Sequence, residues 1–168
     1  MSATRQNKIV ELPALLTLRQ SWRQAQRTLV WSNGCFDLLH AGHVRSLQAA
    51  SRHGDVLVVG LNSDHSVRSL KGEGRPLLPQ QDRALLLAAL ECVDHVLVFD
   101  DLTPTATLEQ LRPDVHCKGA DYAPPNGRPI PERAIVEAGG GRVVFLPLLQ
   151  GASSSALLER LLAGRGPR

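Results

Sequence analysis

The chain has 168 residues, 43% hydrophobic and 21% charged, with a net charge of +3 and a pI near 9.1. That profile fits one globular domain with a sizeable core, and no apolar run is long enough to cross a bilayer. Residues 1–8 lack a signal peptide's apolar stretch. The basic residues are scattered rather than blocked, so a cytoplasmic protein without nucleic-acid or membrane partners is expected.

In chain order, Glu11 to Gln26 reads as a helix carrying Leu12, Leu15, Leu16 and Leu18, followed by a first strand at Thr28 to Trp31. A helix from Val44 to Arg52 has Val44, Leu47 and Ala50 on one face. Asp55 to Leu61 is a second strand, apolar on both faces as parallel strands are. Ser66 to Gln81, rich in glycine and charge, reads as a mobile loop over a site. Arg83 to Leu90 reads as a helix, Val93 to Phe99 as a third strand, and Thr103-Pro104 as the start of a helix reaching Leu111. Asp114 to Cys117 is a fourth strand, and a helix from Pro131 stops at Gly139-Gly140-Gly141. Arg142 to Leu146 is a fifth strand, before a last helix capped by the Gly151 to Ser155 run. Alternating strands and helices predict a single α/β domain, a Rossmann-like, doubly wound, five-stranded parallel sheet. Residues 1–26 form a helical extension to it, 27–164 the domain and 165–168 a tail.

The most informative stretch is Asn33-Gly34-Cys35-Phe36-Asp37-Leu38-Leu39-His40-Ala41-Gly42-His43, between the first strand and the following helix. Open α/β folds place phosphate chemistry at such a turn. Gly34 and Gly42 let backbone approach a ligand, and His40 and His43, three apart at a helix start, can share one space. Helix N-terminal amides add partial positive charge. The competing reading, a zinc site, lacks a third ligand nearby. Two of the three lysines, Lys71 and Lys118, precede glycines in loops, where a phosphate ligand suits a point charge. Cys35, Cys92 and Cys117 have no Cys-x-x-Cys spacing and read as reduced thiols.

Gly-Cys-Phe-Asp-x-x-His-x-Gly-His after a strand resembles the signature of the cytidylyltransferase-like nucleotidyltransferases. From Trp31 to about Leu161 the chain is similar to one branch, the D-glycero-β-D-manno-heptose 1-phosphate adenylyltransferases. The matching pieces include Asn62-Ser63-Asp64, Leu70-Lys71-Gly72 with Arg75-Pro76, Arg83, Leu90 to Asp94, Pro113-Asp114, and Lys118-Gly119 with Asp121-Tyr122. Ala120 stands where that branch usually has glycine. Leu158 and the Leu148-Leu149-Gln150-Gly151 run replace the basic residue and Arg-Thr-Glu-Gly run of cytidine-specific members. Many such adenylyltransferases are fused to a sugar kinase, for which this chain is too short, so a separate kinase is expected.

The resemblance implies attack by a sugar 1-phosphate oxygen on the α-phosphorus of ATP, with pyrophosphate leaving. His40 and His43 are then donors to the α-phosphate, and Lys71 a catalytic cation whose alternative is a solvated loop charge. Nucleotide contacts fall to Gly34, Cys35, Phe36, Asp37, Gly42, Lys118, Asp121, Ser153, Ser154 and Ser155, although one serine can be a plain N-cap. Asn62, Asp64, Arg75 and Arg83 are candidates for the sugar phosphate, with a salt bridge the alternative for each arginine. Mg²⁺ is expected on the triphosphate rather than in a protein cage, and a homodimer is the superfamily's habit. The rival readings are a cytidylyltransferase acting on glycerol 3-phosphate or another small phosphate, and a non-catalytic nucleotide-binding protein.

Overall fold

A computed structural model describes residues 8–147 and 154–164. Five parallel strands form one sheet in the order β3-β2-β1-β4-β5. They are β1 (Leu29–Gly34), β2 (Val56–Asn62), β3 (His95–Phe99), β4 (Val115–Gly119) and β5 (Arg142–Leu146). The helices are α1 (Leu12–Gln24), α2 (Ala41–Ser51), α3 (Asp64–Lys71), α4 (Gln80–Ala88), α5 (Thr105–Leu111), α6 (Arg133–Ala138) and α7 (Ser154–Leu162). The chain runs outward from β1 to β3, then returns to lay β4 on the other side of β1. The strand order therefore switches between β1 and β4, and the crevice for a ligand opens above their carboxyl ends.

Alternate residues of the strands feed two cores. Val30, Leu57, Val59 and Leu61 pack with Leu47 of α2 and Ala84 and Leu87 of α4. Leu29, Trp31, Val56 and Val58 pack with Leu15 and Trp22 of α1, Leu108 and Leu111 of α5 and Val136 of α6. Helices thus cover both faces of the sheet, the doubly wound arrangement that the alternation of elements predicts. Gly60 is fixed by this packing, since a Cβ there would lie 2.2 Å from the Trp31 indole. The 8–26 stretch joins the second core through α1. Its buried Arg19 makes a bidentate pair with Asp114, both bonds 3.0 Å, and donates to the carbonyls of Leu111 and Arg112.

The largest departure from the sequence reading is the Ser66–Gln81 loop. Its first third is entirely helix: α3 runs from Asp64 to Lys71, and only residues 72–79 connect it to α4. Ser63 is the N-cap, its Oγ accepting the Ser66 amide at 3.1 Å. Asp64 sits in the first turn and Lys71 in the last, the charge order a helix dipole favours, and Val67 is buried. Gly72, at φ 90°, ends the helix. The polar composition of α3 concealed a helix with a narrow apolar stripe.

Candidate active site

β1 delivers the histidine turn to the sheet's carboxyl edge, and α2 starts at Ala41 with His40 as its extended N-cap. The first-turn amides of such a helix have no intrahelical acceptor and point toward the crevice. The His40 and His43 rings stack with centroids 3.8 Å apart and planes 23° from parallel. The Phe36 ring meets His43 edge-on at 5.1 Å. The His40 amide reaches His43 Nδ1 at 3.4 Å, while His40 Nδ1 is buried with no protein partner. Burial lowers the His40 pKa from its ordinary value. Burial, then the charges of His40 and Lys71, takes His43 down to about 4. Both rings are therefore neutral near pH 7 in the free protein, and the His43 ring also hydrogen-bonds to the Leu38 backbone.

These groups line a cavity of about 750 Å³ above β1 and β4. Of the residues expected at the nucleotide, Gly34, Cys35, Phe36, His40, Gly42 and His43 lie on its wall, as do Lys118 and Asp121 at the end of β4. Lys71 and Asn62 reach the same wall. Cys35 is no nucleophile in this setting: burial pushes its thiol pKa up, against the opposing charges of Lys71 and Arg83. Ser153 and the hydroxyls of Ser154 and Ser155 lie outside the described residues, as does the Leu148 to Gly151 run.

Four expected site residues are engaged by other parts of the protein, the two arginines in the salt bridges that were their alternative reading. Asp37 is off the cavity wall, its side chain fully buried against Arg75 Nη1 at 2.6 Å and the amides of Leu77 at 2.6 Å and Leu78 at 3.4 Å. Burial would raise its pKa, but those hydrogen bonds and the Arg75 charge outweigh burial and hold it below the usual range. Arg83 is 1% exposed. It donates to the carbonyls of Leu78 at 3.0 Å, Cys35 at 2.6 Å and Asn62 at 2.8 Å, and to Asp64 Oδ1 at 2.7 Å. Arg75, Arg83, Asp37 and Asp64 are thus scaffold: they tie the histidine turn to the end of β2 and to the 72–79 connection. Even Asn62, on the wall, is buried and donates to Ser66 Oγ at 2.8 Å.

Sequence reasoning missed Glu132. It is 1% exposed, and its Oε1 meets His116 Nε2 at 3.0 Å and Lys118 Nζ at 2.6 Å. Burial would raise its pKa; the His116 and Lys118 hydrogen bonds prevail and bring it to about 2. A cue was present, because His116 and Lys118 are two apart on a strand and so share a face. A buried strand histidine needs a polar partner. The Tyr122 ring, also on the wall, meets both Lys118 Nζ at 4.9 Å and the Arg128 guanidinium at 5.0 Å. Among the described residues no three His, Cys, Asp or Glu side chains converge as a metal set. The wall carboxylates Asp121 and Glu132 are already paired, with Arg128 and with His116 and Lys118.

A parallel sheet with its switch point under two neutral histidines and a helix N-terminus defines a Rossmann-like domain with a phosphate-handling site. The chain belongs to the cytidylyltransferase-like family, whose profile matches residues 31–137. It is 51% identical over 140 residues to the bifunctional protein HldE of Syntrophotalea carbinolica, covering 83% of this chain and 28% of that one. With the Streptomyces coelicolor bifunctional protein HldE it shares 55% over 142 residues, 84% of this chain and 30% of the relative. The chain thus spans under a third of the length of these relatives. Its fold resembles a lipopolysaccharide core biosynthesis protein from Thermoplasma volcanium, with a TM-score of 0.58 and 24% identity over 73% of this chain and 97% of the other. It also resembles a Francisella tularensis pantoate-beta-alanine ligase complexed with beta-gamma ATP and beta-alanine, with a TM-score of 0.59 and 13% identity over 90% of this chain and 72% of that one.

Proposed function

We propose that the chain transfers AMP from ATP to D-glycero-β-D-manno-heptose 1-phosphate, giving ADP-heptose and pyrophosphate for lipopolysaccharide core or surface heptose synthesis. The observation that carries it is the stacked, neutral His40–His43 pair at the α2 N-terminus, with Lys71 on the same cavity wall. A sugar phosphate oxygen attacks the α-phosphorus as the bond to the bridging oxygen of the β-phosphate breaks. The histidine N–H groups and α2 amides stabilise charge on the non-bridging oxygens, and Lys71 neutralises the phosphate chain. Mg²⁺ carried on the triphosphate would supply further neutralisation there. The motif likeness to heptose 1-phosphate adenylyltransferases supports the substrate pair. A soluble homodimer working in the cytoplasm, fed by a sugar kinase activity, completes this reading.

Pyrophosphate release with ATP, CTP or GTP against heptose 1-phosphate, glycerol 3-phosphate and other small phosphates tests it. ATP with the heptose phosphate is expected to lead CTP and GTP by at least about tenfold in kcat/KM, because mismatched bases strand buried polar groups. Equal or better use of CTP overturns the adenylyl assignment. No release with any pair leaves only nucleotide binding.

A further inference from the structure

The acceptor in that reaction carries a phosphate dianion, and its seat needs a cation on the cavity wall. Arg83 does not qualify, since its guanidinium is buried among three carbonyls and Asp64. Arg75 holds the buried Asp37 and is absent from the cavity wall. Lys71 lies at the end of α3 on the same wall as the histidine pair, which assigns it to the reacting triphosphate in that reading.

Of the two other cations on the wall, Arg128 is mostly exposed and pairs with Asp121 at 3.4 Å, whereas Lys118 is held at the carboxyl end of β4 beside the switch point. Its ammonium has three donors. One meets Glu132 Oε1 at 2.6 Å, and one flank faces the Tyr122 ring at 4.9 Å. A donor is left for the cavity that Lys118 lines. Glu132 is itself anchored. It is 1% exposed and bonded to His116 Nε2 at 3.0 Å, and because a carboxylate only accepts, that ring nitrogen carries the proton. A lysine head fixed on two sides has little rotamer freedom left to lose on binding.

We propose that Lys118, positioned by Glu132, takes the phosphate of the sugar-phosphate acceptor, in place of Arg75 and Arg83. The assignment rests on the adenylyl-transfer reading above. Lys118 is the binding group; Glu132 acts through it and is a positioning residue.

The test uses Lys118→Met, Glu132→Gln and the double variant. Calorimetry reads heptose 1-phosphate binding to protein saturated with a non-hydrolysable ATP analogue, and separately the analogue's own Kd. Lys118→Met is expected to weaken sugar-phosphate binding at least tenfold while the analogue's Kd moves less than threefold. Glu132→Gln is expected to shift the same quantity in the same direction, and the double variant to match Lys118→Met rather than multiply the two losses. Should Glu132→Gln not fold, Glu132→Asp shortens the reach to Lys118 with the charge kept, and reads the same positioning. An equal loss of analogue binding in Lys118→Met places the lysine on the nucleotide and overturns the proposal. Multiplying losses overturn the role of Glu132. Sugar-phosphate binding in the wild type without pyrophosphate release overturns the proposed function alone; no binding in the wild type overturns both.

Discussion

Asp37 separates a scaffold reading of the histidine turn from a catalytic one. Asp37→Ala removes a carboxylate of zero side-chain exposure that accepts from Arg75 at 2.6 Å and from the amides of Leu77 and Leu78. Breaking a buried ion pair by deleting one partner costs about 3–5 kcal/mol. Arg75 keeps 16% side-chain exposure and can rehydrate in part. Leu77 is 43% exposed, so water can reach its amide, and the cost falls to the low end, about 3 kcal/mol in all. For a chain of this size that corresponds to a Tm lower by about 6–12 °C. Asp37→Asn, which keeps one acceptor oxygen for Leu77, should lose roughly half as much. Urea unfolding at pH 7 measures both, and turnover below the transition gives activity against Mg²⁺ concentration. An Asp37→Ala protein within about 1 kcal/mol of wild-type stability, but needing far more Mg²⁺, would refute the clamp and place Asp37 at the nucleotide instead.

His40→Ala or His43→Ala should lower turnover by two to four powers of ten, roughly the value of a preorganised transition-state donor, with ATP affinity changed much less; stopped assays of pyrophosphate release check this. Trypsin should cut after Lys71 in the free protein, because Gly72 and Gly74 sit at positive φ in open space. ATP should slow that cutting by holding Lys71, and identical cleavage with and without nucleotide would count against closure. Stability should fall with acid in two windows. Between pH 6.5 and about 4 the unfolded chain takes a proton that folded His43 refuses, and from about 4.5 toward 2 Glu132 loses its pairs. Urea midpoints across pH 7 to 3 should show both, with the first slope reduced in His43→Gln.

The sheet was legible because its strands are near-continuous Val and Leu runs such as Val56-Leu57-Val58-Val59, which only a doubly covered parallel sheet buries. The histidine turn was legible because chemistry and spacing coincide in one contiguous segment. What stayed hidden is set by contacts distant in sequence. Arg83 looks like any helix arginine until Cys35, Asn62 and Asp64 converge on it from other elements. Glu132 follows Pro131 in an undistinguished stretch, and nothing local shows that β4 lays His116 and Lys118 against it. α3 was lost because eight residues with one fully buried aliphatic carry little periodicity.

The same histidines that cost stability in acid should gain affinity there. His43 is held near 4 because burial and two neighbouring positive charges oppose a third. A triphosphate in the cavity reverses the sign of that environment, so the complex accepts a proton on His43 at a pH where the free protein does not. By linkage, binding then takes up protons, and affinity for the nucleotide rises as pH falls from about 6.5 toward 4. Below about 4 the free protein is protonated too and the gain stops. The γ-phosphate titrates in part of the same range, so the quantity that isolates His43 is the difference between wild type and His43→Gln. Calorimetry in two buffers of unlike ionisation enthalpy at pH 5.5 should show proton uptake in the wild type and less in the variant. Equal uptake in both would mean that the ring stays neutral in the complex and acts by its N–H dipole alone.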